Sequence, residues 1–268
     1  SILALLLSFL CLGIFLFVAK SAANPAIDLS IFRNMNFTGA IVGSIGMNMS
    51  FWPLMIYLPI YFQRILGYDS LMTGICMLAY SLPTLLFPPL GERLSLRFRP
   101  ANVIPFGLLV IGAGFGLLWW AGNVAGAGWL TMLPGLVVSG MGIGITNTPV
   151  TNTSTASEIS KVGMASGIHM SSRMITLAIN IALMGLILVE SIAYQISSFV
   201  SLSSDNRSAL AQDIISGNEV AVLNTVEPGL IKQALAFGFN TVVLYGAISV
   251  LVMALISFLF FRRAAGSR

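Results

Sequence analysis

Six stretches of this chain, residues 1–19, 34–63, 70–91, 100–157, 174–189 and 233–261, contain no Asp, Glu, Lys or Arg. A hydrocarbon layer roughly 30 Å thick is crossed by about 20 apolar residues of helix, so stretches of this length read as membrane spans. The stretch 100–157 is too long for one crossing. Its middle, Ala121-Gly-Asn-Val-Ala-Gly-Ala-Gly128, has the composition of a turn and divides it. Arg173 interrupts another apolar run without ending it, because the pattern continues to Val189. The sequence therefore predicts seven helices, over 1–19, 37–62, 70–90, 102–121, 129–149, 166–190 and 233–261, in an all-α integral membrane protein.

Composition excludes other classes. With 57% hydrophobic and 8% charged residues, the chain lies far from the ~25% charged content of soluble domains. The net charge of +4 comes from loop residues, with no basic stripe or interleaved aromatics of the kind nucleic acid requires. Cys11 and Cys76 sit inside predicted spans without metal-ligand spacing and are expected to act as small buried hydrophobes, so no metal or cofactor is expected.

If the helices alternate in direction, one side receives Lys20, Arg33, Arg93, Arg97, Arg99, Lys161, Arg262, Arg263 and Arg268. The other receives only Arg64, Arg207 and Lys232. Basic loop residues concentrate on the cytoplasmic side, which predicts a cytoplasmic C-terminus. Ser1 opens directly into an apolar run with no charged flank or cleavage pattern, so the chain reads as the C-terminal part of a longer one.

Four passages carry a family pattern. The first is Pro25-Ala-Ile-Asp28-Leu29-Ser-Ile-Phe32-Arg33 before the second span. The second runs Tyr57-Leu58-Pro59-Ile-Tyr61-Phe-Gln63-Arg-Ile-Leu-Gly67-Tyr68-Asp69-Ser70, followed by Gly74, Leu78 and Pro83. Here the tyrosines suit a wet-apolar boundary, Gly67 suits a positive backbone angle, and Asp69 or Ser70 suits a helix cap. The third is Pro89-Leu-Gly91-Glu-Arg93-Leu-Ser-Leu96-Arg97-Phe98-Arg99-Pro100, and the fourth is Lys161-Val-Gly163-Met-Ala165-Ser166-Gly167 with Arg173 beyond. In this order they resemble the fourteen-helix drug:proton antiporters of the major facilitator superfamily. The third passage is similar to that superfamily's short cytoplasmic loop through Gly91, Arg93 and Arg97. Leu96 stands where the loop's Asp would be and Arg99 where its second Gly would be.

The resemblance implies a leading helix at 1–19, a cytoplasmic linker at 20–36 and a C-terminal six-helix bundle at 37–268 with an outer loop at about 191–232. It implies the C-terminal half of a secondary transporter in the bacterial inner membrane, exporting small hydrophobic compounds against protons by alternating access. The partners implied are membrane lipid, the small-molecule substrate, protons and an N-terminal helical bundle. Transport of a defined metabolite or organic anion is the alternative within the same fold, and a non-transporting receptor is the alternative outside it. An intramembrane enzyme would need a cluster such as two His with a carboxylate, which one His and no central acid cannot supply.

Substrate in such transporters lies near the bilayer midplane, so mid-helix polarity marks candidate sites. Asn48, Trp52 and Met55 on the second span combine an amide, an aromatic ring and a thioether, with Asn48 and Trp52 four residues apart. Arg173 is the sharpest residue, because a guanidinium within a span costs at least ~2.5 kcal/mol unless compensated. It either faces protein or water, or snorkels to the surface. His169, one turn earlier, fits a hydrogen-bonded role better than a proton relay, and Asn180 completes the candidate cavity. Glu190 is expected at the outer mouth, about 25 Å along the helix from Arg173, too far to pair with it. Trp119, Trp120 and Trp129 read as an interface belt, the glycines of the fourth and fifth spans as close-packing positions, and 205–215 as a short amphipathic helix in the outer connector.

Overall fold

The computed structural model describes residues 29–124, 128–156, 162–197, 204–216 and 228–266, so the predicted leading helix at 1–19 and the linker up to residue 28 lie outside the described residues. A short 3-10 turn, Leu29–Arg33, leads into α1 (Met35–Arg64). There follow α2 (Ser70–Leu86), α3 (Pro88–Phe98), α4 (Pro100–Gly122), α5 (Trp129–Thr155), α6 (Val162–Ser197), α7 (Ser204–Ser216) and α8 (Pro228–Gly266). With α2 and α3 counted as one crossing, six helices among the described residues are long and apolar enough to span a membrane.

Local chemistry sets the helix ends. The Asn34 side chain accepts from the N–H groups of Asn36 (3.0 Å) and Phe37 (3.4 Å), opening α1. Asp69, rather than Ser70, caps α2 by accepting from Met72 N–H at 2.9 Å, and Gly67 supplies the turn before it at φ 72°. The passage expected as a loop around Gly91 is instead helical to Phe98: Pro88 and Pro89 start a helix, and nothing breaks it until Arg99.

Arg99 is the one described non-glycine residue with positive φ, at φ 67° and ψ 143°. It occupies the position where the related loop carries glycine, and side chains in this region cost about 1–3 kcal/mol. Arg99→Gly is therefore expected to stabilise the protein by about 1 kcal/mol after the extra entropy of an unfolded glycine is subtracted. A rise in unfolding temperature in detergent micelles checks this, and a fall would contradict it.

Spans run several residues past the predicted boundaries at both ends; α6, for example, covers Val162–Ser197 where 166–190 was expected. The added turns lie where composition is already mixed, so hydropathy does not mark them. The core is built from α1, α4, α5 and α8. On α5, Gly142 packs so closely on α4 that a side chain there would lie 2.6 Å from the Ile111 nitrogen, and Gly135 has the Leu118 nitrogen at 2.9 Å. Gly144 faces the other way, where a side chain would lie 3.0 Å from the Pro83 carbonyl of α2. One glycine-rich helix is thus gripped from two sides. Ser257 of α8 donates to the Gly39 carbonyl of α1 at 2.9 Å.

Burial is uneven. Only 17% of the most apolar window of α2–α3 and 22% of that of α6 is buried, against 56% for α1, α4 and α5. On α2 the exposed residues Leu71, Ile75, Leu78, Leu82 and Leu85 follow helical spacing and form one unpartnered apolar stripe. Trp119 and Trp120 are exposed at the end of α4, as a belt requires, whereas Trp129 packs against the core. Tyr57 and Tyr61 are buried against other helices: the Tyr57 hydroxyl donates to the Ile181 carbonyl (3.3 Å), and the Tyr61 ring lies 4.3 Å from that of Phe239. At the same end of the bundle, α7 docks through Leu210, Ala211 and Ile214, all in the core cluster, so this part of the connector is packed rather than solvated.

Candidate functional site

Helix α1 packs against both sparsely buried helices, α2 and α6, and carries the predicted cluster on its middle turns. Pro53 and Pro59 lie inside it. A proline withholds the N–H that would meet the carbonyl four residues back, so Pro53 leaves the Met49 oxygen without its usual donor. The Asn180 amide of α6 donates to that oxygen at 2.8 Å. At its other end Asn180 accepts from the Tyr245 hydroxyl of α8 at 3.2 Å. Asn180 is only 1% exposed, and it joins three helices at a gap cut by proline.

Asn48 and Trp52 are separated by burial despite their spacing. Asn48 is buried, with its amide N–H bonded to the Ser44 carbonyl of its own helix (2.9 Å) and its oxygen lacking any partner. Trp52 is 39% exposed, with its ring edge-on to Phe51 at 5.2 Å. Met55 is half-buried against the core. The helix thus presents a ring to the open side and an unsatisfied amide oxygen to the interior.

On α6, His169 is buried and its Nδ1 lies 2.9 Å from the Ser154 hydroxyl of α5. Ser154 in turn donates to the Thr151 carbonyl at 3.1 Å. The direction of the Ser154–His169 hydrogen bond follows the imidazole tautomer, and Nε2 is left buried with no partner. Arg173, one turn on, is half-buried, its Nε is buried without a partner, and among the described residues it makes no hydrogen bond or ion pair. Because α6 begins at Val162, Arg173 lies about 16 Å along its helix rather than about 10 Å. Glu190 is exposed, seven residues before the helix ends.

Gly91, Arg93 and Arg97 are all on α3. Arg93 and Arg97 are exposed, with Arg97 5.3 Å from the Phe98 ring centre, while Gly91 is buried against α5. Its Cα backs onto the Ile145 carbonyl, the oxygen that Pro149 deprives of a donor. Two prolines thus free two carbonyls, and Asn180 covers one and Gly91 the other.

Sequence reasoning missed Ser44, Ser154, Pro53 and Tyr245. A signal existed for Ser154: Thr146-Asn-Thr-Pro-Val-Thr-Asn-Thr-Ser-Thr155 is almost wholly polar inside a charge-free stretch. Most of these hydroxyls bond back to their own helix, as with Thr146 to the Gly142 carbonyl (2.7 Å) and Thr155 to that of Thr151 (2.8 Å).

The sequence pattern that defines the Major Facilitator Superfamily matches residues 1–188. The chain belongs to the Major Facilitator Superfamily. It is an integral membrane protein, with six described helices long and apolar enough to cross a membrane. It is also similar to the quinolone resistance protein NorB of Staphylococcus aureus strains JH9, JH1 and Mu3, with 30% identity over 176 residues in each case. Each match takes in 65% of this chain and 37% of the relative, so the chain spans well under two thirds of the length of these superfamily members.

Proposed function

We infer that this chain forms one wall of a secondary transporter that exports small, mostly hydrophobic compounds in exchange for protons, by alternating access. The observation that carries the reading is the pair of apolar faces left bare on α2 and α6, on helices packed against α1, in a superfamily built from two rocking bundles. A second helical bundle, supplied by the greater length seen in the relatives, covers these faces and closes the substrate cavity. Trp52, Met55 and Arg173 line this wall with Asn48 buried behind them, while Asn180 holds the α1 gap in shape beside it. The ends carrying Arg93, Arg97, Arg262 and Arg263 face the cytoplasm of a bacterial cell, following the bias of basic residues, and Glu190 lies toward the outer mouth. The chemistry is transport without bond making, and the relatives' name, quinolone resistance protein, supports a drug-like substrate.

Ethidium efflux tests this. Bacterial cells lacking their own multidrug pumps and expressing the full-length protein are expected to expel preloaded ethidium at least several-fold faster than vector controls, and a protonophore is expected to abolish the difference. Efflux that persists after collapse of the proton gradient would remove the coupling. No excess efflux of ethidium or of any lipophilic probe would remove the export reading.

A further inference from the structure

His169, Arg173 and Asn180 lie on one line of α6, spaced four and seven residues apart. Cross-links on either side fix what this line faces. Toward the Arg99 end, Phe37 and Ile41 of α1 cluster with Ala165 and Ile168 of α6; toward the other end, Asn180 bonds to the Met49 carbonyl. The α1 segment from Ser44 to Asn48 therefore runs beside the α6 segment that carries His169 and Arg173. Four buried polar atoms of these two segments have no partner: Ser44 Oγ, Asn48 Oδ1, His169 Nε2 and Arg173 Nε.

Ser44 Oγ and Asn48 Oδ1 are hydrogen-bond acceptors, as is an unprotonated His169 Nε2, but neutral acceptors cannot cancel the guanidinium charge. No Asp or Glu occurs in α1, α5 or the first half of α6. A half-buried guanidinium in a membrane helix with no anion beside it is costly, and the group that would offset it is an anion. The surroundings describe what that anion is attached to. Trp52 is 39% exposed and Met170 and Met174 52% each, so the same two helices also expose an aromatic ring and adaptable thioethers.

We propose that Arg173, backed by His169 and Asn48, is a carboxylate subsite that selects amphipathic aromatic acids or zwitterions among the compounds this transporter handles. The guanidinium fork matches the two oxygens of a carboxylate, and His169, one turn away on the same face of the helix and held by Ser154, is placed to back it. The proposal rests on the export reading for its physiological meaning, but it is an equilibrium property and is measured without turnover.

The test uses purified full-length protein in detergent with two probes of the same body, 1-pyrenebutyrate and its uncharged amide, followed by energy transfer from tryptophan. Wild type is expected to bind the carboxylate about tenfold or more tightly than the amide, the size of a charge-assisted hydrogen-bonded contact. Arg173→Gln is expected to bring that ratio to about one while leaving amide affinity within twofold. Should Arg173→Gln not fold, Arg173→Met, which suits a membrane helix, carries the same expectation. Wild type with no preference for the carboxylate overturns the proposal, and the counter-anion is then a protein side chain. Equal loss of both probes on substitution overturns it as well, marking Arg173 as structural. Failure here with intact ethidium efflux leaves the exporter standing, whereas failed efflux with an intact preference leaves the subsite without an exporter.

Discussion

Alanine at Gly91 is expected to destabilise the bundle by about 3 kcal/mol, the upper part of the range for overpacking, because the obstacle is backbone. The added methyl would overlap the Ile145 carbonyl of α5, which is part of a helix and cannot rotate aside as a side-chain tip does. The matched control is Gly116→Ala on α4, where nothing lies within 4 Å and alanine's better helix propensity predicts a change of about zero or slightly stabilising. Thermal unfolding of the two variants in micelles separates them. Equal unfolding temperatures would show that α3 does not pack on α5 as closely as described. If the Gly91 variant unfolds earlier, the glycine of the family-like passage is a packing residue whose tolerance is set by Pro149 on a different helix.

Asn180→Leu is expected to cost about 2 kcal/mol, since it removes two interhelical hydrogen bonds in a buried setting and leaves the Met49 oxygen and the Tyr245 hydroxyl unpaired. The cause can be isolated. Pro53→Ala returns the N–H that the Met49 carbonyl lacks, so in the Pro53→Ala background the same Asn180→Leu change is expected to cost about 1 kcal/mol less. A double-mutant cycle on unfolding free energy measures this coupling. Strict additivity would mean that Asn180 supports the bundle by some route other than the proline gap.

The spans and the superfamily were legible because lipid imposes a length and a lack of charge that any reader of the chain can see. The six described crossings fall where the charge-free stretches are. Their ends were not legible, as α6 shows, because turns beyond the hydrocarbon carry mixed composition. The Gly91 passage was misread as loop: its charges pointed to a surface connection, while Pro88 and Pro89 were starting a new helix. The site was half legible. Arg173 and His169 stood out as polar groups among apolar ones, and their neighbours needed the fold. Asn180 shows the limit most clearly, since its hydrogen bond reaches a carbonyl 131 positions away that is free only because of Pro53. No local pattern encodes that meeting.

Helix α6 runs past Glu190 to Ser197, and α7 is clamped onto that extension and onto α8 by Leu210, Ala211 and Ile214. In the orientation inferred above, this end of the bundle faces the exterior of the cell and carries a braced helical extension about 10 Å long past Glu190. A recombinant antibody fragment raised against it would find a folded epitope rather than a floppy loop. It would supply both a reporter of surface display and the landmark that particle alignment lacks for so small a membrane target.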